Sequence, residues 1–527
     1  MRTPPGVKPA DFEKAIKQFS DVVGPQWVFT SDEDVSTYRD AYSPFAGAAD
    51  ERVASAAVAP ETVEQVQRVV QIANQFSVPL YTISTGRNLA YGGSAPVYSG
   101  SVVLDLKRMN KILEVNEEQA FALVEPGVSY FDLYRYIRER GLKLWIDCPD
   151  PGWGSVIGNA LDHGAGRTPL PYRDHFGSHC GMEVVLANGN VVRTGMGALP
   201  TAKTWQHFQY GAGPSSDGLF AQSNMGVVTK MGFWLLPEPE ASTTGQIRVP
   251  KHDDIVPFVK ILASLAFQGV VNCVFSLQSP VFAGRLDAEK SALLDRPGGG
   301  SAAEWDAYAA SKGQPFWQTE LRFYGPAKVI AAQWEHVKER LAAIPGAQFS
   351  DGPTMRFPLT DDQVAKLNDP GSFGVPSLNV FSSLQGSSGH LDASPMLPYS
   401  GAALLEAHKV FMKLFRDAGV ELLLGFAMSY HWRAFIMFQS INLSRDPAQL
   451  AKARSLYEQV IKVSSAHGWG IYRAHAAFMD AVMDQYSYND HALMRLNETL
   501  KDALDPNGIL AAGRYGIWPK QLRKGRA

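Results

Sequence analysis

The run Ser84-Thr-Gly-Arg-Asn-Leu-Ala-Tyr-Gly-Gly-Ser-Ala-Pro96, entered from the short apolar segment Val78 to Ile83, is the most informative stretch in the chain. An apolar run of this length bounded by turn residues reads as a buried strand. Three glycines, several hydroxyls and Asn88 follow it. Such a turn can present backbone N–H groups in a concave nest that holds phosphate without a lysine. The same residue types also suit an ordinary surface loop. Two further glycine clusters, Gly152-Trp-Gly-Ser-Val-Ile-Gly-Asn159 and Ser223-Asn-Met-Gly-Val-Val-Thr229, can line the same ligand. Backbone donors from several loops would suit a long dinucleotide lying in a groove.

Around this stretch the chain alternates strands and helices. Upstream, Asp11 to Val22 reads as a helix. Glu61 to Phe76 reads as a second, with Thr62 as its cap and Val63, Val66, Val69, Val70 and Ala73 at helical spacing. Downstream, Ser101 to Leu106 and Ala120 to Val124 read as strands. Met182 to Leu186 and Val191 to Thr194 read as a hairpin, because Asn188-Gly189 suits its tight turn. Pro237-Glu-Pro-Glu240 marks a boundary. Beyond it, Thr319 to Phe323 leads into a helix at Ala327 to Ile344, and Arg433 to Asn442 into a helix at Ala448 to His467. That repetition suggests a duplicated strand–helix unit. Pro376 to Pro398 reads as one long polar loop. The chain then returns to glycine-rich sequence at Asp505-Pro-Asn-Gly-Ile-Leu-Ala-Ala-Gly-Arg514.

Composition narrows the function. The 527 residues predict about three ordinary domains or two large ones. With 49 basic and 52 acidic residues and no block of like charge, a nucleic-acid partner is not expected. Only 19% of residues are charged and 11% are aromatic, which suits a large interior and a flat apolar ligand. Cys148, Cys180 and Cys273 are too few for a disulfide scaffold, and 12 scattered histidines show no metal-ligand spacing. No Walker A, G-x-G-x-x-G, H-E-x-x-H, C-x-x-C or G-x-S-x-G motif occurs. The N-terminus shows no signal peptide, and no run reaches the ~20 apolar residues that span a bilayer. The expectation is a cytoplasmic protein with no membrane partner and no metal.

Several motifs together resemble the flavoprotein family of vanillyl-alcohol oxidase and p-cresol methylhydroxylase, nearest to its bacterial eugenol oxidases. They are Ser84 to Pro96, Glu125-Pro-Gly-Val128, Cys148-Pro-Asp150 with Gly154 to Asn159, Ser223 to Gly226, and Asp505 to Ile509. They occur in the family's order over almost the whole chain. The resemblance implies an α+β fold. A two-part PCMH-type FAD-binding domain (1–238 and 487–527) would enclose an α+β cap domain (239–486) that carries the duplicated unit. It implies FAD held by Ser84, Thr85, Gly86, Arg87, Asn88, Gly92, Gly93, Ser94, Gly154, Ser155, Gly158, Asn159, Gly226, Val228 and Arg514. His390, in Gly386-Ser-Ser-Gly-His390, matches the histidine that oxidases of this family bond to the flavin; on its residue type alone it would be a solvated loop histidine.

The resemblance also implies a phenol site. Tyr91, Tyr472 and Arg473 match residues that hold a phenolate; in isolation Tyr472-Arg473 would read as structural. Asp150 matches an acid near the flavin; by itself it reads as a general base or as a cap on the Trp153 turn. Ser394 is expected in the pocket. The chain departs from the pattern at Arg167, where an aromatic residue is usual, at Asp392, where a small one is usual, and at Glu421, in place of a Gln-like position. These are surface drift or a more polar pocket. The implied activity is oxidation of para-substituted phenols, with O2 as acceptor, by a homodimer or dimer of dimers. A cytochrome-linked dehydrogenase, or a 2-hydroxy acid or sugar oxidoreductase of the same fold, is the alternative.

Overall fold

The computed structural model describes residues 2–283, 287–384, 387–420, 426–431 and 433–523. Its first layer is a small sheet of β1 (Val28–Phe29), β2 (Ala56–Val58), β3 (Leu80–Ile83) and β4 (Val102–Asp105), in the order β1-β2-β4-β3. β2 and β3 both run parallel to β4. Parallel strands covered on both faces read as unbroken apolar runs, and β2 and β4 are buried throughout. Helices Pro9–Val23 and Val63–Phe76 cover the sheet with Phe12, Phe19, Val66, Val69 and Val70. The Thr62 hydroxyl caps the second helix by accepting from the Gln65 N–H, as its position predicts. The glycine-rich turn leaves the C-terminal end of β3, the end at which open α/β sheets bind ligands.

A second sheet follows the order β5-β6-β10-β8-β9, from β5 (Ile112–Asn116), β6 (Phe121–Val124), β8 (His179–Val185), β9 (Val191–Arg193) and β10 (Val227–Trp234). β8 and β9 form the expected hairpin, with Gly189 at φ +84° in its turn. β7 (Leu144–Trp145) pairs with β11 (Leu236–Pro237). The distant tail returns to the first sheet. The Leu80 N–H donates to the Ile509 carbonyl at 2.6 Å, and the Ala511 N–H donates to the Leu80 carbonyl at 2.7 Å. The fully buried Lys501 ammonium secures this return. It donates to the Asn224 and Leu510 carbonyls and pairs with Asp505 at 2.7 Å.

The cap is a seven-stranded antiparallel sheet built from β12 (Ala241–Val249), β13 (Ser276–Gln278), β14 (Trp317–Gly325), β15 (Gln348–Arg356), β17 (Met396–Pro398), β18 (Phe426–Met428) and β19 (Ala434–Met437). Its order is β15-β12-β14-β13-β18-β19-β17. The duplication is present and larger than a strand and a helix. β12, helix Ile255–Phe267, β13, β14 and helix Ala327–Leu341 form one β-α-β-β-α unit; β17, helix Gly401–Asp417, β18, β19 and helix Pro447–Ala466 form the other. The halves meet where β13 pairs with β18.

Two local expectations need correction. Pro376 to Pro398 is not one loop, because it contains β16 (Gly389–Ala393) and β17. Arg433 to Asn442 is not one strand. It breaks at Phe438 into β19, in the cap sheet, and β20 (Gln439–Leu443), which pairs with β16 alone. β16 escapes sequence reading because it is only five residues long, has Leu391 as its one large apolar residue, and takes its single partner, β20, from a segment remote in sequence.

Lys501→Met would leave the Asp505 carboxylate buried without its cation, a loss of about 3–5 kcal/mol. The expected result is a markedly lower apparent melting temperature by calorimetry. An unchanged value would mean that the tail is held by other contacts.

Candidate active site

One cavity collects most of the predicted residues. It is lined by Ser84, Thr85, Gly86, Arg87, Asn88, Tyr91, Gly92 and Gly93 from the turn after β3. Asp150, Gly154, Ser155, Gly158 and Asn159 line it from the second glycine cluster, Gly226 and Val228 from the start of β10, His390 and Asp392 from β16, and Arg473 and Arg514 from the C-terminal part. Ser94 stands just inside the turn, its hydroxyl 3.4 Å from the Gly86 carbonyl. Gly86 has φ +67°, and a Cβ there would collide with Ser94. A Cβ on Gly158 would collide with Ser84, so the two glycine-rich segments touch backbone to side chain. Ser155 caps the short helix Val156–Leu161 by accepting from the Gly158 N–H.

At one end, Tyr91, Tyr472 and Arg473 come together. The Arg473 guanidinium carbon lies 4.0 Å from the centroid of the Tyr91 ring. The Tyr91 hydroxyl is 2.8 Å from Ser394 Oγ. Burial, reinforced by Asp392 and Tyr472, holds the Tyr91 phenol well above its usual range, and burial pushes Tyr472 up to about 12. Both are therefore hydrogen-bond donors at neutral pH.

The charge that organises this end is Asp162, which sequence reading passed over. It is 2% exposed. Its Oδ2 accepts from Arg473 Nε at 2.8 Å and Asn88 Nδ2 at 2.7 Å. Its Oδ1 accepts from Arg514 Nη2 and the Tyr515 hydroxyl, both at 3.0 Å. Burial alone would raise its pKa, but Arg473 and Arg514 outweigh that and hold it below the usual carboxylate range. Asn88 also accepts from Arg473 Nη2 at 2.6 Å. Arg473 also hydrogen-bonds the Tyr472 side chain, so Asp162, Asn88 and Tyr472 together fix the guanidinium. A signal did exist: two arginines expected at one cavity need a buried acid, and Asp162 follows Asn159 by a single helical turn.

Asp150 has a different setting. Its Oδ2 accepts from Ser377 Oγ at 3.2 Å and the Val380 N–H at 3.1 Å, while Oδ1 is buried with no hydrogen-bond partner. Burial raises its pKa against these donors and against Arg167. Arg167 itself lies outside the main cavity. It pairs with Asp369 at 3.0 Å and lines a second, polar cavity with Gln246, Ser276, Gln318 and Arg322 on the cap sheet. Tyr472 is also absent from the main lining; its ring packs with Met428, Tyr430 and Ile436. Glu421 lies outside the described residues. His475, buried in the core, accepts from the Ala477 N–H through Nδ1 at 3.0 Å, and its Nε2 lies 2.9 Å from the Asp40 carboxylate.

The comparisons with known proteins agree with this site. The FAD binding domain family matches residues 54–195, and the C-terminal domain of FAD linked oxidases matches residues 401–515. The fold and cavity are those of an FAD-linked oxidoreductase. The flavoprotein subunit of 4-cresol dehydrogenase (hydroxylating) from Pseudomonas putida is 32% identical over 521 residues, 98% of this chain and 97% of that one. A 4-ethylphenol oxidase from Gulosibacter chungangensis, solved with isoeugenol, superposes with a TM-score of 0.85 at 35% identity, over 99% of this chain and 100% of that one. A substrate-bound p-cresol methylhydroxylase gives 0.83 at 31% identity, over 98% and 99%. The chain belongs to the vanillyl-alcohol oxidase and p-cresol methylhydroxylase family, whose members act on 4-alkylphenols.

The residues present fit FAD. Gly86 and Gly158 let the glycine-rich segments approach each other closely, and the cavity wall they form combines backbone groups and the hydroxyls of Ser84, Thr85 and Ser155 with Asn88, Asn159 and the cations Arg87 and Arg514, a donor set suited to a dinucleotide. Asp150 also provides a test. Folding raises its pKa, so folding favours the protonated form, and above that pKa the buried charge lowers stability. Asp150→Asn is expected to raise the melting temperature near about pH 7. The gain should shrink as pH falls through the raised value towards the ordinary 3.8. A variant less stable than the parent at neutral pH would refute this.

Proposed function

We propose that this chain is an FAD-dependent oxidase of para-substituted phenols: 4-hydroxybenzylic alcohols, 4-alkylphenols, or 4-allylphenols such as eugenol. The observation that carries the reading is the meeting of Tyr91 and Arg473 on the cavity wall, with Tyr472 hydrogen-bonded to Arg473 beside it and Asp150 on the same wall. A phenol titrates near ~10 in water. Tyr91, Tyr472 and Arg473 would stabilise its anion, and the paired Asp162 leaves a net positive charge on the two guanidiniums to do so. The chemistry that FAD supplies when bound is acceptance of a hydride from the benzylic carbon and return of its electrons to O2 as H2O2. The substrate is left as a p-quinone methide. Asp150, with a raised pKa and a free oxygen, takes the proton of a substrate alcohol or of a water that adds to the quinone methide.

In this proposal Ser84, Thr85, Arg87 and Asn88 cradle the FAD phosphates, and His390 forms a covalent bond to the flavin ring. The division into 1–238 and 487–527 around a cap at 239–486 belongs to it too, as do a homodimer or dimer of dimers and a cytoplasmic location. Among the described residues no helix is long and apolar enough to cross a membrane. The dehydrogenase relative keeps a second reading open, in which the electrons pass to a cytochrome.

An anaerobic visible spectrum with a 4-alkylphenol, followed by air, separates these readings. The oxidase reading expects bleaching, then rapid recolouring with one H2O2 per substrate. Reduced flavin that persists in air would favour the dehydrogenase, and no bleaching with any phenol would reject both. Arg473→Ala is expected to lower kcat/KM by about 100-fold or more, the range for loss of an oriented charge at developing anionic character. It should also abolish the spectral shift on binding a non-reactive phenol.

A further inference from the structure

β16 carries His390 and Asp392 two residues apart, so strand alternation turns both to one face, and both line the cavity. His390 Nε2 lies 3.5 Å from Asp392 Oδ2. The other ring nitrogen, Nδ1, is buried with no hydrogen-bond partner. The carboxylate is itself fixed. Ser440, opposite it on β20, donates its hydroxyl to Oδ1, and the Tyr457 hydroxyl donates to the Asp392 carbonyl at 3.2 Å. Tyr42 closes the other side, its ring centroid 5.6 Å from that of His390, and a Cβ on Gly389 would run into it. The imidazole is thus clamped between a ring and a carboxylate that points at one of its nitrogens.

We propose that Asp392 is the positioning residue that makes His390 a nucleophile towards the flavin ring methyl and accepts the proton the imidazole must release. This rests on the reading of His390 as the linking residue. The bond-forming step replaces a C–H bond of the methyl by a C–N bond. The electron pair of the broken bond goes to the isoalloxazine, and O2 removes it. One hydrogen from the methyl and one from the imidazole leave, and they appear in the H2O2 formed. A neutral histidine must offer one nitrogen lone pair and shed the N–H proton of the other. Asp392 serves both needs by holding the N–H tautomer and then taking its proton. An Asp–imidazole pair makes the ring more basic, and burial, which opposes protonation of His390, is outweighed by Asp392.

The test compares wild type, D392N, D392E and H390A for total bound flavin and for flavin that stays with acid-precipitated protein. Each is then incubated with FAD in air and the covalent fraction followed by intact mass. The expected result is covalent flavin in wild type and none in H390A. D392N should bind FAD but link it roughly 100-fold more slowly, a size typical of a lost proton acceptor, with D392E recovering part of the rate. D392N linking FAD at the wild-type rate overturns the role of Asp392 and leaves His390 standing. Wild-type flavin released wholly into the supernatant, or covalent flavin in H390A, overturns the His390 reading and this inference with it. D392N and D392E both devoid of flavin would also overturn it, since the carboxylate would then be shaping the site rather than taking a proton.

Discussion

Arg473 is buried and Arg514 partly buried at the same cavity, and both rest on the Asp162 carboxylate. An unpaired guanidinium at such depth would cost several kcal/mol, and so would an unpaired carboxylate. The geometry satisfies all three groups because each Asp162 oxygen takes two donors. Those donors come from the glycine-rich turn (Asn88), from the segment that follows the cap helices (Arg473) and from the tail (Arg514, Tyr515). One carboxylate therefore joins three stretches that are remote in sequence. The three charges of this cluster sum to a surplus of one positive charge.

The rest of the site is arranged around that surplus. Asp150 and Asp392 also line the cavity, but each is restrained by neighbours of its own, Ser377 and Val380 in one case, Ser440 and His390 in the other. Acids and bases thus share a weakly screened space without collapsing into one ion pair. The cap sheet adds a gradient. Near β18 and β19 its inner face is apolar, with Met428 and Ile436, whereas over β12 to β14 it is polar, with Gln246, Ser276 and Gln318. Arg167 stands on the polar part with Asp369, where its charge acts on Asp150 rather than on the main cavity wall.

Features that depend on neighbours in sequence could be read before the structure. The Thr62 cap and the Asn188-Gly189 hairpin are local and stand as read, and the glycine-rich turn after β3, local too, lines the cavity. Motifs dispersed along the chain could be assembled only through the family resemblance, and the cavity does bring most of them together. What escaped is non-local. β16 is a strand because β20 pairs with it, and β20 separates from β19 because the two serve different sheets. Asp162 sits at the end of a six-residue helix, just past the second glycine cluster, and its partners are arginines more than three hundred residues away.

That distance matters for the order in which the protein is made. Arg514 lies 352 residues after Asp162, and Tyr515 lies 353 after it. A ribosome that has already released the glycine turn, Asp162 and His390 has delivered nearly the whole cofactor cleft, yet the cleft has no counter-charge on its tail side. Domains tend to fold as units while synthesis proceeds, N-terminal parts first. Here the first sheet can form early, but its cleft stays open until the last stretch arrives and docks through Lys501 and Asp505. A copy that ended before Arg514 would keep most of the cavity wall but leave one oxygen of the buried Asp162 without either of its donors.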